Sequence, residues 1–222
     1  MKDFSFLQEQ AYEYLCQQIR DEQIVPGKIY SEAAVAKALG CSRTPVKDAL
    51  TRLSHGKYID IIPSKGFALH RLTKEDLMNT FQTRVAIESF CAISLQRALD
   101  TPRGAAAVAV LRQQVLLQEQ YAKENRFDEF LRSDILFHQT IIRFSENEDF
   151  QELYELHSYR IEEPARKCLR EGDRCKETSG EHAAILRAIE HGDISHCYEA
   201  ILRHNESTLD HSLQMLSQQD IL

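Results

Sequence analysis

The sequence predicts a mainly α-helical protein with a small N-terminal domain followed by a larger all-α antiparallel bundle of six to seven helices. The 222 residues include only eight glycines and five prolines and no tryptophan. Long stretches are rich in Ala, Leu, Glu, Gln, Arg and Lys, which are strong helix formers. Apolar residues recur at helical spacing along most of the chain. The length allows two domains, each with its own core.

Charge separates the two predicted domains, which we place at residues 1–72 and 73–222. The first contains ten Lys and Arg against eight Asp and Glu, and the second contains 17 against 26. Within residues 37–71, seven basic residues accompany only two acidic ones. A basic module joined to an acidic body is expected where one domain contacts phosphate groups.

The first domain is expected to contain three helices and a hairpin. Apolar spacing predicts a helix over 6–21, and Ser31 and Gly40 delimit a second helix over 31–39. Ser42 begins a third helix, with Pro45 in its first turn. The β-prone segments 58–62 and 67–70 flank a turn. Two adjacent helices followed by a hairpin predict a winged helix-turn-helix.

The third helix separates apolar from polar residues. Val46, Leu50 and Leu53 share one face, so the opposite face is free for contacts. In a helix-turn-helix this face enters the major groove of DNA. The alternative is a solvated basic face, but the helix pair, the basic face and the hairpin together favour DNA binding. The candidate DNA-binding residues are Ser42, Arg43, Thr44 and Lys47 on the helix and Lys65 and Gly66 in the wing.

The second domain is expected to form long amphipathic helices joined by short loops. We place these helices near 74–99, 103–124, 126–144, 147–170, 176–190 and 194–217, and we expect Pro164 to kink or shorten the fourth. No run of about 18 apolar residues and no export signal is present, which predicts a cytoplasmic protein without membrane contact. The six cysteines are expected to be reduced and packed, and a redox role for Cys168 and Cys175 stays open.

Four polar residues of the second domain are candidates for a shared site. Asp134 and His138 lie four residues apart on an apolar helix face, so their side chains project together. His182 and His204 flank the Gly192 turn at similar distances, which places them nearly level on neighbouring helices. Spacing alone supports two interpretations equally: a site for one metal ion, or an Asp–His hydrogen bond with two unrelated histidines.

The segment PG-x-x-x-SEAAVAKALGCSRTPVKDALTRLSHGKYIDIIPSKGF resembles the winged-helix domain of the GntR family of bacterial transcription regulators. The resemblance covers residues 8–71, and SRTPVKDAL is its strongest part. Lys47 and Asp48 replace the usual Arg and Glu, and Ala33 replaces an arginine that contacts DNA in several relatives. Lysine lacks the planar fork of arginine, so base selectivity at position 47 is expected to differ.

Residues 75–215 resemble the effector-binding FCD domain of the FadR-like subfamily, through D-x-x-x-H, then E-H-x-x-I-L-x-A-I-x-x-G-D, then R-H. The resemblance implies that Asp134, His138, His182 and His204 bind a divalent metal ion, with Zn²⁺, Ni²⁺, Mn²⁺ or Fe²⁺ suited to these ligands. Arg84, four residues before Glu88, matches an Arg-x-x-x-Glu pattern and is a candidate for binding an effector carboxylate. The alternative for Arg84 is an exposed ion pair with Glu88. Arg160 is a weaker effector candidate.

These observations lead to three hypotheses. The first is a homodimeric regulator, not an enzyme, that binds a near-palindromic operator in double-stranded DNA and senses a small carboxylate through a metal-containing bundle. The second is a metal-dependent hydrolase or lyase fused to a nucleic-acid-binding module, although Glu181, the one adjacent carboxylate, is turned about 100° from His182. In the third, the metal is only structural.

Overall fold

The computed structural model describes residues 4–219, which divide after Leu72 into two compact units. The N-terminal unit contains three helices and three strands, a winged helix-turn-helix as predicted. Its elements in chain order are α1 (Phe4–Arg20), β1 (Ile29–Tyr30), α2 (Glu32–Leu39), α3 (Arg43–His55), β2 (Ile59–Ile62) and β3 (Gly66–Leu69).

The helices of this unit begin and end where the sequence provides caps. The hydroxyl of Ser31 accepts a hydrogen bond from the backbone N–H of Ala33 and thereby begins α2. Gly40 adopts a left-handed conformation that ends α2 and leaves room for only Cys41 and Ser42 before α3. The core of the unit joins α1, α3 and the sheet through side chains that are almost fully buried: Leu15, Val46, Leu50, Leu53, Ile59 and Phe67.

The sheet has one strand more than the predicted hairpin. Strand β3 lies in the centre and pairs antiparallel with both β1 and β2. Strand β1 was missed because its two residues are too short for alternation to be visible in the sequence. Tyr30 pairs with Phe67, and their rings stack at 5.8 Å. The extra strand thus anchors the segment before α2 to the wing.

Alanine at position 66 is expected to destabilise the wing strongly. Gly66 has φ +128°, and a Cβ atom there would lie 2.0 Å from the carbonyl oxygen of Tyr30. Gly40 is the matched control, since its φ is +62° and no atom lies within 4 Å of its Cβ position. Gly40→Ala is expected to cost the roughly 1–2 kcal/mol typical of a left-handed residue, and Gly66→Ala more. Hydrogen exchange of the β3 amides in the full chain measures the loss of protection in each variant. An equal loss of protection in Gly40→Ala and Gly66→Ala would contradict the steric argument.

The C-terminal unit is an all-α bundle of seven helices, within the predicted range. Thr73 begins the first helix with a reciprocal capping box to Asp76, and Thr101 and Pro102 begin the second. The first and last helices pack on each other, and the first also contacts the third. The helices are α4 (Lys74–Gln96), α5 (Pro102–Glu124), α6 (Phe127–Phe144), α7 (Glu148–Leu156), α8 (Ser158–Cys168), α9 (Arg174–His191) and α10 (Ile194–Gln219).

The prediction of a single helix over 147–170 is wrong, because the chain forms two helices there, α7 and α8. The two helices meet at His157, whose N–H is shared between the carbonyls of Leu153 and Tyr154 and so tightens the end of α7. Pro164 lies inside α8, one turn after Arg160. The break therefore precedes the proline by two helical turns and does not occur at the proline itself.

Candidate functional site

Three histidines from three helices meet in the interior of the bundle. His138 lies on α6, His182 on α9 and His204 on α10, and each side chain is at least 97% buried. Neighbouring ring centres are separated by 4.7–4.9 Å. One ring nitrogen from each histidine lies within 4.8 Å of the corresponding nitrogens of the other two. The prediction that His182 and His204 lie level with each other agrees with this geometry, and His204 points fully inward.

Each imidazole has an oxygen atom within 3.0 Å of Nδ1, and at His182 and His204 this contact is a hydrogen bond. His182 Nδ1 lies 2.7 Å from the amide oxygen of Gln118, and His204 Nδ1 lies 2.8 Å from Oε2 of Glu181. His138 Nδ1 lies 3.0 Å from Oε2 of Glu88. Because the oxygens of Gln118 and Glu181 accept hydrogen bonds here, the arrangement favours a proton on Nδ1 and a lone pair on Nε2 at His182 and His204. Metal-binding histidines have this type of outer partner.

Burial favours the neutral form of two imidazoles of this cluster, those of His182 and His204. Burial lowers the pKa of His182 well below its usual value, and the neighbouring histidines and arginines lower it further. Burial also lowers the pKa of His204, although its hydrogen bond to Glu181 acts in the opposite direction. The Nε2 atom of His182 is buried and has no hydrogen-bond partner among the described residues. A neutral histidine with a free lone pair beside two further imidazoles fits a divalent cation.

The Arg84–Glu88 pair is buried beside the histidines. Arg84 Nε donates to Glu88 Oε1 at 2.7 Å, and both side chains are more than 90% buried. The alternative of an exposed ion pair is therefore wrong: α4 is covered by α6, α9 and α10 on this face. Burial raises the pKa of Glu88, but Arg84 and His138 outweigh it and hold the pKa well below its usual value. Arg84 Nη2 also lies 3.2 Å from His138 Nε2, so the guanidinium faces the cluster directly.

Asp134 lies next to the cluster but outside the group of three close ligand atoms. Its Oδ1 is 3.6 Å from Nε2 of His182. The sequence paired Asp134 with His138, whereas the structure places Asp134 closest to His182. Its role as a fourth ligand stays a prediction.

Arg160 is buried on α8, and its Nε has no partner among the described residues. Burial lowers the pKa of Arg160, whereas the charge of Asp76 raises it. Burial, and then Arg160, lower the pKa of His157 to about 4. Arg160 thus belongs to a polar region between α4 and α8, and its effector role stays a prediction.

Sequence reasoning missed Gln118, which orients His182. Gln118 is completely buried on α5, and Gln114 lies one turn before it on the same buried face, where its amide oxygen accepts from Ser133. Glutamines at the spacing of an apolar stripe were the signal that could have revealed this acceptor.

The candidate DNA-binding residues of α3 are exposed on one face. Ser42, Arg43, Thr44 and Lys47 are exposed, whereas Val46 on the opposite side is buried. The hydroxyl of Ser42 makes no capping hydrogen bond to α3. Lys65 is exposed in the turn between β2 and β3. The geometry leaves these side chains accessible to a duplex.

Comparison with known proteins identifies both units. Residues 7–69 match the gntR family of bacterial regulatory proteins, and residues 79–207 match the FCD domain. An HTH-type transcriptional regulator of Agrobacterium vitis is 30% identical over 132 residues, 60% of this chain and 77% of the relative.

Two solved structures share the fold. Escherichia coli McbR/YncC superposes with a TM-score of 0.73 at 20% identity and covers 96% of this chain and 98% of its own. The metal-free FCD domain of TM0439 has a TM-score of 0.56 at 22% identity, covering 67% of this chain and 99% of its own.

The described helices include none that is both long and apolar enough to cross a bilayer. The winged helix, the bundle with its buried histidines and the two domain matches agree with one another. The chain belongs to the GntR family of bacterial regulatory proteins, with an FCD effector-binding domain, and is a ligand-responsive DNA-binding transcription regulator.

Proposed function

We propose that this regulator is a cytoplasmic homodimer, not an enzyme, that senses a small carboxylate through a divalent metal ion in its FCD domain. The observation that carries the proposal is the meeting of three buried imidazoles, each with an oxygen atom within 3.0 Å of Nδ1. This arrangement favours a lone pair for a cation at Nε2 of His182 and His204, whereas Nε2 of His138 faces Arg84 Nη2 at 3.2 Å.

In this proposal, His138, His182 and His204 hold the ion, with Asp134 as the fourth ligand. One carboxylate and three imidazoles suit Zn²⁺, Ni²⁺, Mn²⁺ or Fe²⁺, and such an ion offers open positions to the oxygens of a carboxylate. Arg84 faces the same cluster and supplies guanidinium donors for that carboxylate. Arg160 is a second candidate donor on α8.

The carboxylates beside the cluster favour a sensor over the hydrolase or lyase alternative. Glu88 is engaged by Arg84 and His138, and Glu181 is engaged by Arg174 and His204. Strong partners of this kind lower the pKa of Glu181 to about 2, although burial alone would raise it. A carboxylate with so low a pKa is a poor general base for activating water.

Thermal unfolding tests the sensor directly. We expect Zn²⁺ to raise the Tm of the purified protein, and one class of small carboxylates to raise it further only when Zn²⁺ is present. A Zn²⁺ effect without any carboxylate effect would indicate a purely structural metal. No Zn²⁺ effect in protein that had first been treated with a chelator would contradict the metal site.

On the DNA side, we propose that Arg43 and Lys47 contact base edges and that Ser42 and Thr44 contact phosphates, while Lys65 and the Gly66 backbone contact the adjacent groove. A homodimer would place two such units on the half-sites of a near-palindromic operator.

Arg43→Ala is expected to weaken operator binding by about 1–3 kcal/mol and to relax base preference at one position, because a bidentate guanine contact is lost. Lys65→Ala should instead weaken binding to all sequences, and it should reduce the slope of log affinity against log salt concentration by about one. Fluorescence anisotropy on an operator selected from random duplexes measures both effects. Arg20→Ala, at the end of α1, is the control. An Arg43→Ala variant with unchanged affinity and preference would contradict the assignment.

A further inference from the structure

A second buried arginine, Arg174 at the start of α9, is connected to the histidine cluster through Glu181. The side chain of Arg174 is 96% buried, and its two terminal nitrogens donate to the two carboxylate oxygens of Glu181 at 2.7 and 3.1 Å. The same nitrogens also donate to Ser207 Oγ at 3.0 Å and Thr208 Oγ1 at 3.3 Å on α10. Such a forked contact fixes the plane of the carboxylate as well as its position.

Glu181 transmits this orientation to His204. Its Oε2 atom accepts from His204 Nδ1 at 2.8 Å, while Oε1 accepts from Ser207 at 2.7 Å. Each oxygen of Glu181 therefore has two donors, of which Arg174 supplies one to each. Because an acceptor at Nδ1 determines which nitrogen of a histidine is protonated, the position of Glu181 decides whether His204 presents a lone pair at Nε2.

Without Arg174, the carboxylate of Glu181 would have a second, solvent-accessible orientation. Its side chain is 22% exposed, and it borders a groove of about 710 Å³ between α9 and α10, which His204 also borders. A carboxylate released by Arg174 could turn into this groove and be solvated there, which would leave Nδ1 of His204 without its acceptor.

We propose that Arg174 is a positioning residue that, through Glu181, holds His204 in the tautomer with a free Nε2. This proposal rests on the function proposed above, because the tautomer of His204 affects function only if Nε2 binds the metal ion. Gln118 contacts His182 directly, and Glu88 contacts His138 directly. His204 instead contacts the carboxylate of Glu181, which is itself held by Arg174. Arg174 is thus distinct from Arg84, which faces the cluster itself.

Imidazole ¹⁵N NMR of the full-length, metal-free protein tests the positioning role without any metal. In the wild type we expect His204 to show a protonated Nδ1 and an unprotonated Nε2. Arg174→Met should give a mixture of tautomers, and Arg174→Lys should restore part of the wild-type signal. Arg112→Met is the matched control, since Arg112 on α5 is exposed and forms an ion pair with Glu190 on α9, about two helical turns beyond His182. A folded Arg174→Met variant with the wild-type His204 signals would overturn the proposal.

Co²⁺ affinity, measured by competition with a chelator, provides a second readout through a double-mutant cycle. Loss of outer partners typically lowers metal affinity about 10–100-fold, and we expect Arg174→Met and Glu181→Gln each to do so. If Arg174 acts through Glu181, the double variant should bind Co²⁺ no more weakly than the weaker of the two single variants. If the two residues act independently, their losses of affinity would multiply in the double variant, and that result would contradict the proposal. If Arg174→Met does not fold, Arg174→Lys replaces it in the cycle. A wild type that binds no Co²⁺ would refute the metal function, and the His204 tautomer would then decide the positioning role alone.

Discussion

Replacing Glu88 by alanine is expected to destabilise the C-terminal unit by about 3–5 kcal/mol, because one partner of a buried ion pair would be removed and the other left behind. Glu88 is fully buried, and Arg84, its partner at 2.7 Å, would become an uncompensated buried cation. His138 would lose the acceptor at Nδ1 as well. Urea unfolding followed by circular dichroism measures the loss.

Two further variants separate this effect from simple loss of a surface charge. Glu88→Gln keeps one oxygen acceptor, which can contact either Arg84 or His138, and its stability should fall between those of the wild type and the alanine variant. Glu129→Ala breaks the Arg126–Glu129 pair on a solvent-exposed part of the bundle and should leave stability almost unchanged, because solvent screens such a pair. A loss for Glu88→Ala as small as that for Glu129→Ala would contradict the buried pair.

His182→Ala is expected to lower metal affinity more than any variant of an outer partner does. Loss of an outer partner typically lowers metal affinity roughly 10–100-fold, and the loss in His182→Ala should be larger. His182 is fully buried, and its Nε2 makes no hydrogen bond with any described residue. At a free metal concentration 100 times Kd, a site that exists only in the folded protein contributes about 2.7 kcal/mol of stability, which the variant should lack.

Zn²⁺ titration against a coloured chelator and thermal unfolding with and without Zn²⁺ measure both losses. His196→Ala is the matched control, because His196 is exposed at the start of α10 and its ring contacts Asp193. It should retain the affinity and the stabilisation of the wild type. Equal Zn²⁺ affinity in His182→Ala and the wild type would exclude the histidine cluster as the metal site.

The histidine cluster could be predicted from the sequence to the extent that helical geometry alone determines it. The positions of His182 and His204 around the Gly192 turn follow from the rise of a helix, and the structure places their rings 4.7 Å apart. The grouping of His138 with these two, and the offset of Asp134, depend on how α6 packs against α4 and α5, which in turn pack against α9 and α10. Spacing along one helix contains no information about that packing.

Which partner contacts which histidine could not be predicted for a related reason, although the spacing of Gln118 indicated a buried acceptor. Gln118 lies 64 residues before His182. The burial of Arg84 and Glu88 could not be inferred from an i,i+4 pattern either, because exposed and buried pairs have the same spacing. In the N-terminal unit, by contrast, local caps and turn residues determined α2, α3 and the wing, so nearly all of that fold was predictable.

The most direct test of metal-dependent carboxylate sensing is operator binding by Zn²⁺-loaded wild type and His182→Ala, measured by fluorescence anisotropy over a panel of small carboxylates. We expect one carboxylate to change the operator affinity of the wild type by about 5–150-fold, the usual range of coupling between two sites. The variant should still bind the operator and should not respond. A carboxylate that shifts operator affinity equally in both proteins, or equally after chelation of the wild type, would contradict sensing through the metal centre.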